Sequence, residues 1–72
     1  MDEVRANFNK GLRFQFKFLR TAVSNKDKDY MFYEKNITLG YINAGYWSKI
    51  ITEREYHDLF HVVRKIYDSG LN

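Results

Sequence analysis

The sequence predicts an all-α fold, a small single domain of three helices. The 72 residues contain no proline and only four glycines, so long stretches are free of the residues that break helices. Hydrophobic residues make up 44% of the chain and aromatic residues 18%, which is enough for a packed core. Apolar residues recur at spacings of three and four in three successive segments, and this is the period of a helix buried on one side.

The first segment predicts a helix over residues 2–24. Its apolar stripe consists of Val4, Phe8, Leu12, Phe16, Leu19 and Val23. Over residues 12–19, however, apolar and polar residues also alternate, which is typical of a half-buried strand. An α+β alternative therefore remains, with a short N-terminal helix, a β-hairpin near residues 12–33 and then two helices. The helix is favoured because its stripe extends beyond the alternating window on both sides and because the hairpin would stand alone.

The second segment predicts a helix over residues 28–48 that is apolar on two faces. One stripe consists of Tyr30, Tyr33, Ile37, Tyr41 and Ala44. On roughly the opposite side lie Phe32, Leu39, Ile42 and Tyr46. Either this helix lies between the other two, or its second face is an interface, for which a symmetric homodimer is one candidate. Gly40 and Gly45 weaken the helix by about 1 kcal/mol each relative to alanine, and they allow another helix to approach closely.

The third segment predicts a helix over residues 53–68. Thr52 and Glu55 have the spacing of a capping box, in which each residue satisfies a backbone N–H group of the other. The apolar stripe that follows consists of Tyr56, Leu59, Phe60, Val63, Ile66 and Tyr67. Gly70 is predicted to cap the C-terminal end of this helix.

Several classes of function are disfavoured by what the sequence lacks. The chain has no cysteine, so disulfides, thiolate chemistry and cysteine-bound zinc are excluded, and we expect a cytoplasmic protein. No apolar run approaches the roughly 20 residues needed to cross a bilayer, and the acidic start does not resemble a secretory signal. Because no serine lies in a nucleophile elbow and no glycine-rich loop could cradle a phosphate, we expect no catalytic residues and no cofactor.

His57 and His61 lie one helical turn apart with Asp58 between them, a spacing similar to that of zinc proteases. The chain has only two histidines, however, and a catalytic zinc ion needs a third protein ligand. Both histidines fall off the apolar stripe of the third helix. We therefore predict that they are ordinary surface residues and that the protein requires no metal.

The positive charge is concentrated in the first predicted helix. Between Arg5 and Arg20 the chain has no acidic residue, whereas basic and acidic residues balance from Lys26 onward. A basic ridge on one face of the helix is formed by Lys10, Arg13, Lys17 and Arg20. Phe14 and Phe18 stand beside it. Like charges this close repel one another by a few tenths of a kcal/mol per pair, so the ridge points to a negatively charged partner.

These features predict a module that binds another macromolecule. The candidate binding residues are those of the ridge with Phe14 and Phe18, and a second patch formed by Tyr46 and Trp47. The first hypothesis is an inhibitor or adaptor, of the kind that phages and mobile elements encode, which binds a protein with an acidic surface. The alternative is a nucleic-acid-binding protein whose ridge contacts phosphates. Glu53 and Glu55 count against the alternative, because phosphates would repel acids at the start of a recognition helix.

Overall fold

The computed structural model describes residues 2–72 and consists there of three α-helices. These are α1 (Glu3–Asn25), α2 (Lys28–Trp47) and α3 (Glu53–Gly70). Each helix packs against the other two. The predicted three-helix fold is confirmed, and its bounds differ from the predicted ones by two residues at most. The β-hairpin alternative is wrong, because residues 12–19 lie within α1.

Short polar residues position the start of each of the first two helices. The carboxylate of Asp2 accepts a hydrogen bond of 3.1 Å from the backbone N–H of Val4, which caps α1. Asp27 caps α2 in the same way, by accepting from the backbone N–H groups of Asp29 and Tyr30. Between the two helices stand only Lys26 and Asp27, and Lys26 adopts a left-handed conformation with φ of 56°. This tight connection makes α1 and α2 an antiparallel pair.

The predicted capping box of α3 is present. The backbone N–H of Glu55 donates to the Thr52 hydroxyl at 3.1 Å, and the backbone N–H of Thr52 donates to the Glu55 carboxylate at 2.9 Å. The prediction for Gly70 is wrong, because it is the last residue of the helix and Leu71 is the C-cap. A Cβ atom at Gly70 would lie 2.5 Å from the Met31 Cε atom. This glycine therefore leaves room for the end of the Met31 side chain against α3 and does not form a left-handed turn.

The buried face of α2 coincides with neither of its two predicted apolar stripes and shares only Ile42 with them. The residues that α2 buries are Met31, Glu34, Thr38, Ile42 and Gly45. The hydroxyl of Thr38 donates to the backbone carbonyl of Glu34 at 2.8 Å, so this polar group is satisfied within the helix. Periodicity that counts only apolar residues overlooks such a face. Phe32, Tyr33 and Ile37 belong to the predicted apolar stripes, but they are exposed because α2 turns another face toward the core.

The contact between α1 and α2 explains why α2 is turned in this way. The Phe8 ring stacks on Tyr41 with ring centroids 4.9 Å apart, and the Tyr41 hydroxyl donates to the Phe8 carbonyl at 2.8 Å. A Cβ atom at Gly45 would lie 2.3 Å from the Phe8 ring, and one at Gly11 would lie 2.1 Å from the Tyr41 hydroxyl. Glycine at these two positions therefore allows each helix to receive an aromatic ring of the other. Burial also raises the pKa of the Tyr41 hydroxyl.

We predict that Thr52→Ala lowers the free energy of unfolding by about 1 kcal/mol, because the first turn of α3 loses its N-cap hydrogen bond. Urea denaturation measures the change. Thr21→Ala is the matched control, since Thr21 is exposed within α1 and its hydroxyl only donates to the Lys17 carbonyl of the preceding turn. Equal midpoints for Thr52→Ala and the unmodified protein would show that the capping box does not stabilise the fold.

Candidate interaction site

The four cations of the predicted ridge are all exposed along α1. Within residues 2–72, no acidic side chain lies within 4 Å of Lys10, Arg13, Lys17 or Arg20. Arg5, which begins the same basic segment, differs because it is paired with Glu55. The remaining positive charge on α1 is therefore not neutralised inside the fold, and it faces solvent.

Phe14 and Phe18 project from α1 beside the two lysines of the ridge. Their side chains are 49% and 44% exposed, and their rings stack with centroids 6.4 Å apart. A shallow depression of about 250 Å³ at this place is lined by Lys10, Arg13, Phe14 and Lys17. The structure thus brings most of the predicted basic and aromatic residues together on one outward face of the helix.

The two arginines of the ridge border a second feature, a groove between α1 and α3. This groove of about 380 Å³ is lined by Arg13, Phe16, Arg20, Leu59 and Val62. The guanidinium of Arg20 lies 5.7 Å from the centroid of the Phe16 ring, within the range of a cation–π contact. Val62 is an exposed apolar residue that is not among the binding residues predicted from the sequence. Its position just outside the apolar stripe of α3 is the signal that could have identified it.

Tyr46 and Trp47, the second predicted patch, lie apart from the ridge. Tyr46 is half-buried and stacks on Tyr56 with ring centroids 4.7 Å apart, so it belongs to the packing between α2 and α3. Trp47 is 74% exposed, and its ring makes a T-shaped contact with the Tyr46 ring, at 5.5 Å between centroids. It lines a depression with Arg5, Lys49 and Glu55, and none of the ridge residues lines that depression.

The pair of Arg5 and Glu55 ties the beginning of α1 to the beginning of α3. The guanidinium of Arg5 donates to both carboxylate oxygens of Glu55 and, at 3.1 Å, to the Ile50 carbonyl. The hydrogen bond from Arg5 and a backbone hydrogen bond from Thr52 lower the pKa of Glu55 from 4.5 to about 2. The same hydrogen bond raises the pKa of the Arg5 guanidinium. This ion pair connects the two helices, and each of its two charges has a partner within the fold.

His57 and His61 lie on the exposed side of α3, as expected from the sequence. The Nε2 atom of His57 is 3.8 Å from the carboxylate of Glu53, and both side chains are open to solvent. In the described part of the chain, no three histidine, aspartate or glutamate side chains lie close enough together to hold a metal ion. The three helices described here also include none with the length and apolar character needed to cross a bilayer.

The lowered pKa of the Glu55 carboxylate means that the stability of the protein should depend on pH in the acid range. Because its pKa is lower in the folded protein, its contribution is complete above pH 4.5 and is lost as the pH falls from 4.5 toward 2. We expect Glu55→Gln to be less stable than the unmodified protein at pH 7 and to lose less stability over this acid range. Glu3→Gln, at an exposed site in the first turn of α1, is the control. Urea midpoints at several pH values measure the effect, and parallel pH curves for Glu55→Gln and the unmodified protein would contradict it.

His57 and His61 should not hold a metal ion that the fold requires. We expect chelation with EDTA to leave the melting temperature unchanged, and the variant His57→Ala/His61→Ala to fold normally, because neither histidine packs in the core. Thermal unfolding with and without EDTA is the measurement. The interpretation of both histidines as ordinary surface residues is wrong if the protein retains stoichiometric zinc when it is purified without a metal column and unfolds when that zinc is removed.

Comparisons with known proteins found no matching family model, no similar curated protein and no similar solved structure. A bundle of three helices is by itself compatible with many unrelated functions. The function must therefore be inferred from the chemistry of the exposed side chains, of which those on α1 combine charge with apolar area.

Proposed function

We propose that the protein is a non-catalytic binding module whose α1 surface contacts an acidic surface of another protein. The α1 surface consists of Lys10, Arg13, Phe14, Lys17, Phe18 and Arg20. The observation that supports the proposal best is the stacked and half-exposed pair of Phe14 and Phe18, bordered by cations that have no acidic partner among residues 2–72.

The exposed phenylalanines favour a binding role because about half of each side chain remains in contact with water. Transfer of apolar surface out of water is worth roughly 25 cal/mol per Å². A partner that covers the two half-exposed phenylalanine rings therefore gains binding free energy from their burial. Protein interfaces commonly have such an apolar, aromatic centre with charged residues at the rim. Phe14 and Phe18 fit the centre, and Lys10 and Lys17 fit the rim.

The charges indicate the chemistry of the partner. Lys10 and Arg20 are ten residues apart, so the cations cover about 15 Å of helix, which is the scale of the central part of a protein interface. Unpaired cations at this density attract an acidic surface and accelerate its association. A module of this kind acts by covering or bridging its target, which is the mode of action of an inhibitor or an adaptor.

Reversal of two ridge charges tests the proposal. We expect Arg13→Glu/Lys17→Glu to fold normally, because both side chains are exposed, and to lose partner binding, since each charge contact at an interface centre is worth about 2 kcal/mol or more. The matched control is Arg54→Glu/Lys65→Glu, which changes the net charge equally at exposed positions of α3. Pull-down from the native host with nuclease treatment, followed by titration of the captured protein, compares the variants.

Two outcomes would contradict the proposal. If both double variants bind the captured protein as the unmodified chain does, the α1 surface is not the binding site. The second outcome is that the unmodified chain binds generic duplex DNA or RNA and that its affinity falls steeply as the salt concentration rises. If Arg13→Glu/Lys17→Glu reduces the slope of log affinity against log salt concentration, the partner is a nucleic acid.

A further inference from the structure

Gly40 is a glycine without a structural reason inside the described chain. At Gly11, Gly45 and Gly70, an added Cβ atom would lie 2.1 to 2.5 Å from a neighbouring side chain, so close packing explains why each is glycine. At Gly40 an added Cβ atom would meet nothing within 4 Å among residues 2–72. Glycine in the middle of a helix is nevertheless unfavourable relative to alanine. Its presence at an open position suggests close approach by something outside the chain.

Exposed apolar residues flank Gly40 along the same side of α2. Tyr33 is 62% exposed, Ile37 is 37% exposed and Trp47 is 74% exposed, and Ala44 is also exposed. Together with Gly40 they form what we call the α2 seam: Tyr33, Ile37, Gly40, Ala44 and Trp47. The successive steps are four, three, four and three residues, which is the spacing that keeps a row of side chains facing a second helix in a coiled coil.

All of the α2 seam except Tyr33 lies on an uncharged stretch of the protein. Charged residues make up 29% of the whole chain, yet residues 36–47 contain none. Depletion of charge is a mark of the central part of an interface. A neutral surface can also face an identical copy of itself without repulsion, whereas two copies of the basic α1 surface would repel each other. This difference favours a second copy of the chain as the occupant of the α2 seam.

The two ends of the seam are also placed symmetrically about Gly40. Tyr33 and Trp47 each lie seven residues from it, or about 10 Å along the helix axis in opposite directions. If two copies of α2 run antiparallel and cross at Gly40, the Tyr33 ring of each copy comes level with the Trp47 ring of the other. Aromatic pairs of this kind add to the free energy of burial. The antiparallel arrangement also places opposite ends of the two helix dipoles side by side.

We propose that the protein forms a symmetric antiparallel homodimer through the α2 seam, with the two helices crossing at Gly40. The proposal does not rest on the proposed function, because it uses a different helix. The seam is one side of a single helix and measures about 21 Å from Tyr33 to Trp47, so we expect a small interface and a dimer that dissociates on dilution. Each dimer would carry two α1 surfaces, which raises avidity for a target with repeated sites.

Sedimentation velocity over a series of protein concentrations tests the proposal, with the fluorescence of Trp47 as a second readout. Trp47 is the only tryptophan, so a shift of its emission to shorter wavelength with rising concentration reports burial at the seam. We expect both signals to change together. A protein that stays monomeric with unshifted emission at millimolar concentration overturns the proposal, even if its seam captures a different protein.

The variant Gly40→Ala separates dimerisation from folding, because the two effects have opposite signs. In the monomer the new methyl group meets open space and favours the helix, so the melting temperature should rise by about 4–8 °C. At the crossing point the methyl groups of the two copies keep the helices apart, and the dissociation constant should rise at least tenfold. His61→Ala is the control, since it also favours a helix but lies away from the seam. An unchanged dissociation constant for Gly40→Ala overturns the crossing at this residue.

Single cysteines test the geometry, because the natural chain has none. Gly40→Cys should form a disulfide-linked dimer under mild oxidation much faster than His61→Cys, since disulfides require Cα atoms within about 7 Å. A mixture of Tyr33→Cys with Trp47→Cys should give the mixed disulfide in preference to Tyr33→Cys linked to itself. Equal rates for Gly40→Cys and His61→Cys, or preferred self-linkage of Tyr33→Cys, overturn the antiparallel arrangement.

Discussion

The fit of the Phe8 ring against Gly45 is the constraint on which the rest of the structure depends. It fixes how closely α1 and α2 approach, and Tyr41 fixes their register by stacking on the ring and by donating to the Phe8 carbonyl. Once Gly45 faces inward, the helical period also turns Thr38 and Glu34 inward. The aromatic residues of α2 must then lie at the sides and on the outside, and the exposed seam is a direct result of this packing.

The starts of the helices and most of the inward-facing residues of α1 and α3 could be predicted from the sequence because they depend on local rules. The capping box at Thr52 needs only two residues at a fixed spacing. In the predicted stripe of α1, Phe8 and Leu19 are buried, Leu12, Phe16 and Val23 are half-buried, and Val4 at its beginning is exposed. The rotation of α2 about its axis could not be predicted, because it is set by the Phe8 ring of α1, which occupies the space next to Gly45. Gly70 was misassigned for the same reason, because Met31 reaches it from α2.

The candidate site was predictable in part. A basic ridge with neighbouring aromatics follows from the spacing of charges on one helix, and the structure places Lys10, Phe14 and Lys17 together on an exposed face. The exposure of Phe14 and Phe18 depends on how far α2 and α3 wrap around α1, and a single sequence does not contain that information. Trp47 illustrates the same limit, since the neighbouring Tyr46 has similar chemistry but is packed against Tyr56.

The connection of only two residues between α1 and α2 has a consequence for the kinetics of folding. A short connection costs little loop-closure entropy, so α1 and α2 can pair starting from this turn, and the contact between Phe8 and Tyr41, 33 residues apart, closes the far end of the hairpin. Helical bundles, whose contacts lie mostly within helices and between neighbouring helices, fold in microseconds to milliseconds. We therefore expect the α1–α2 hairpin to form early and α3 to dock onto it. Rapid folding shortens the time in which an unfolded chain with 18% aromatic residues is available for aggregation.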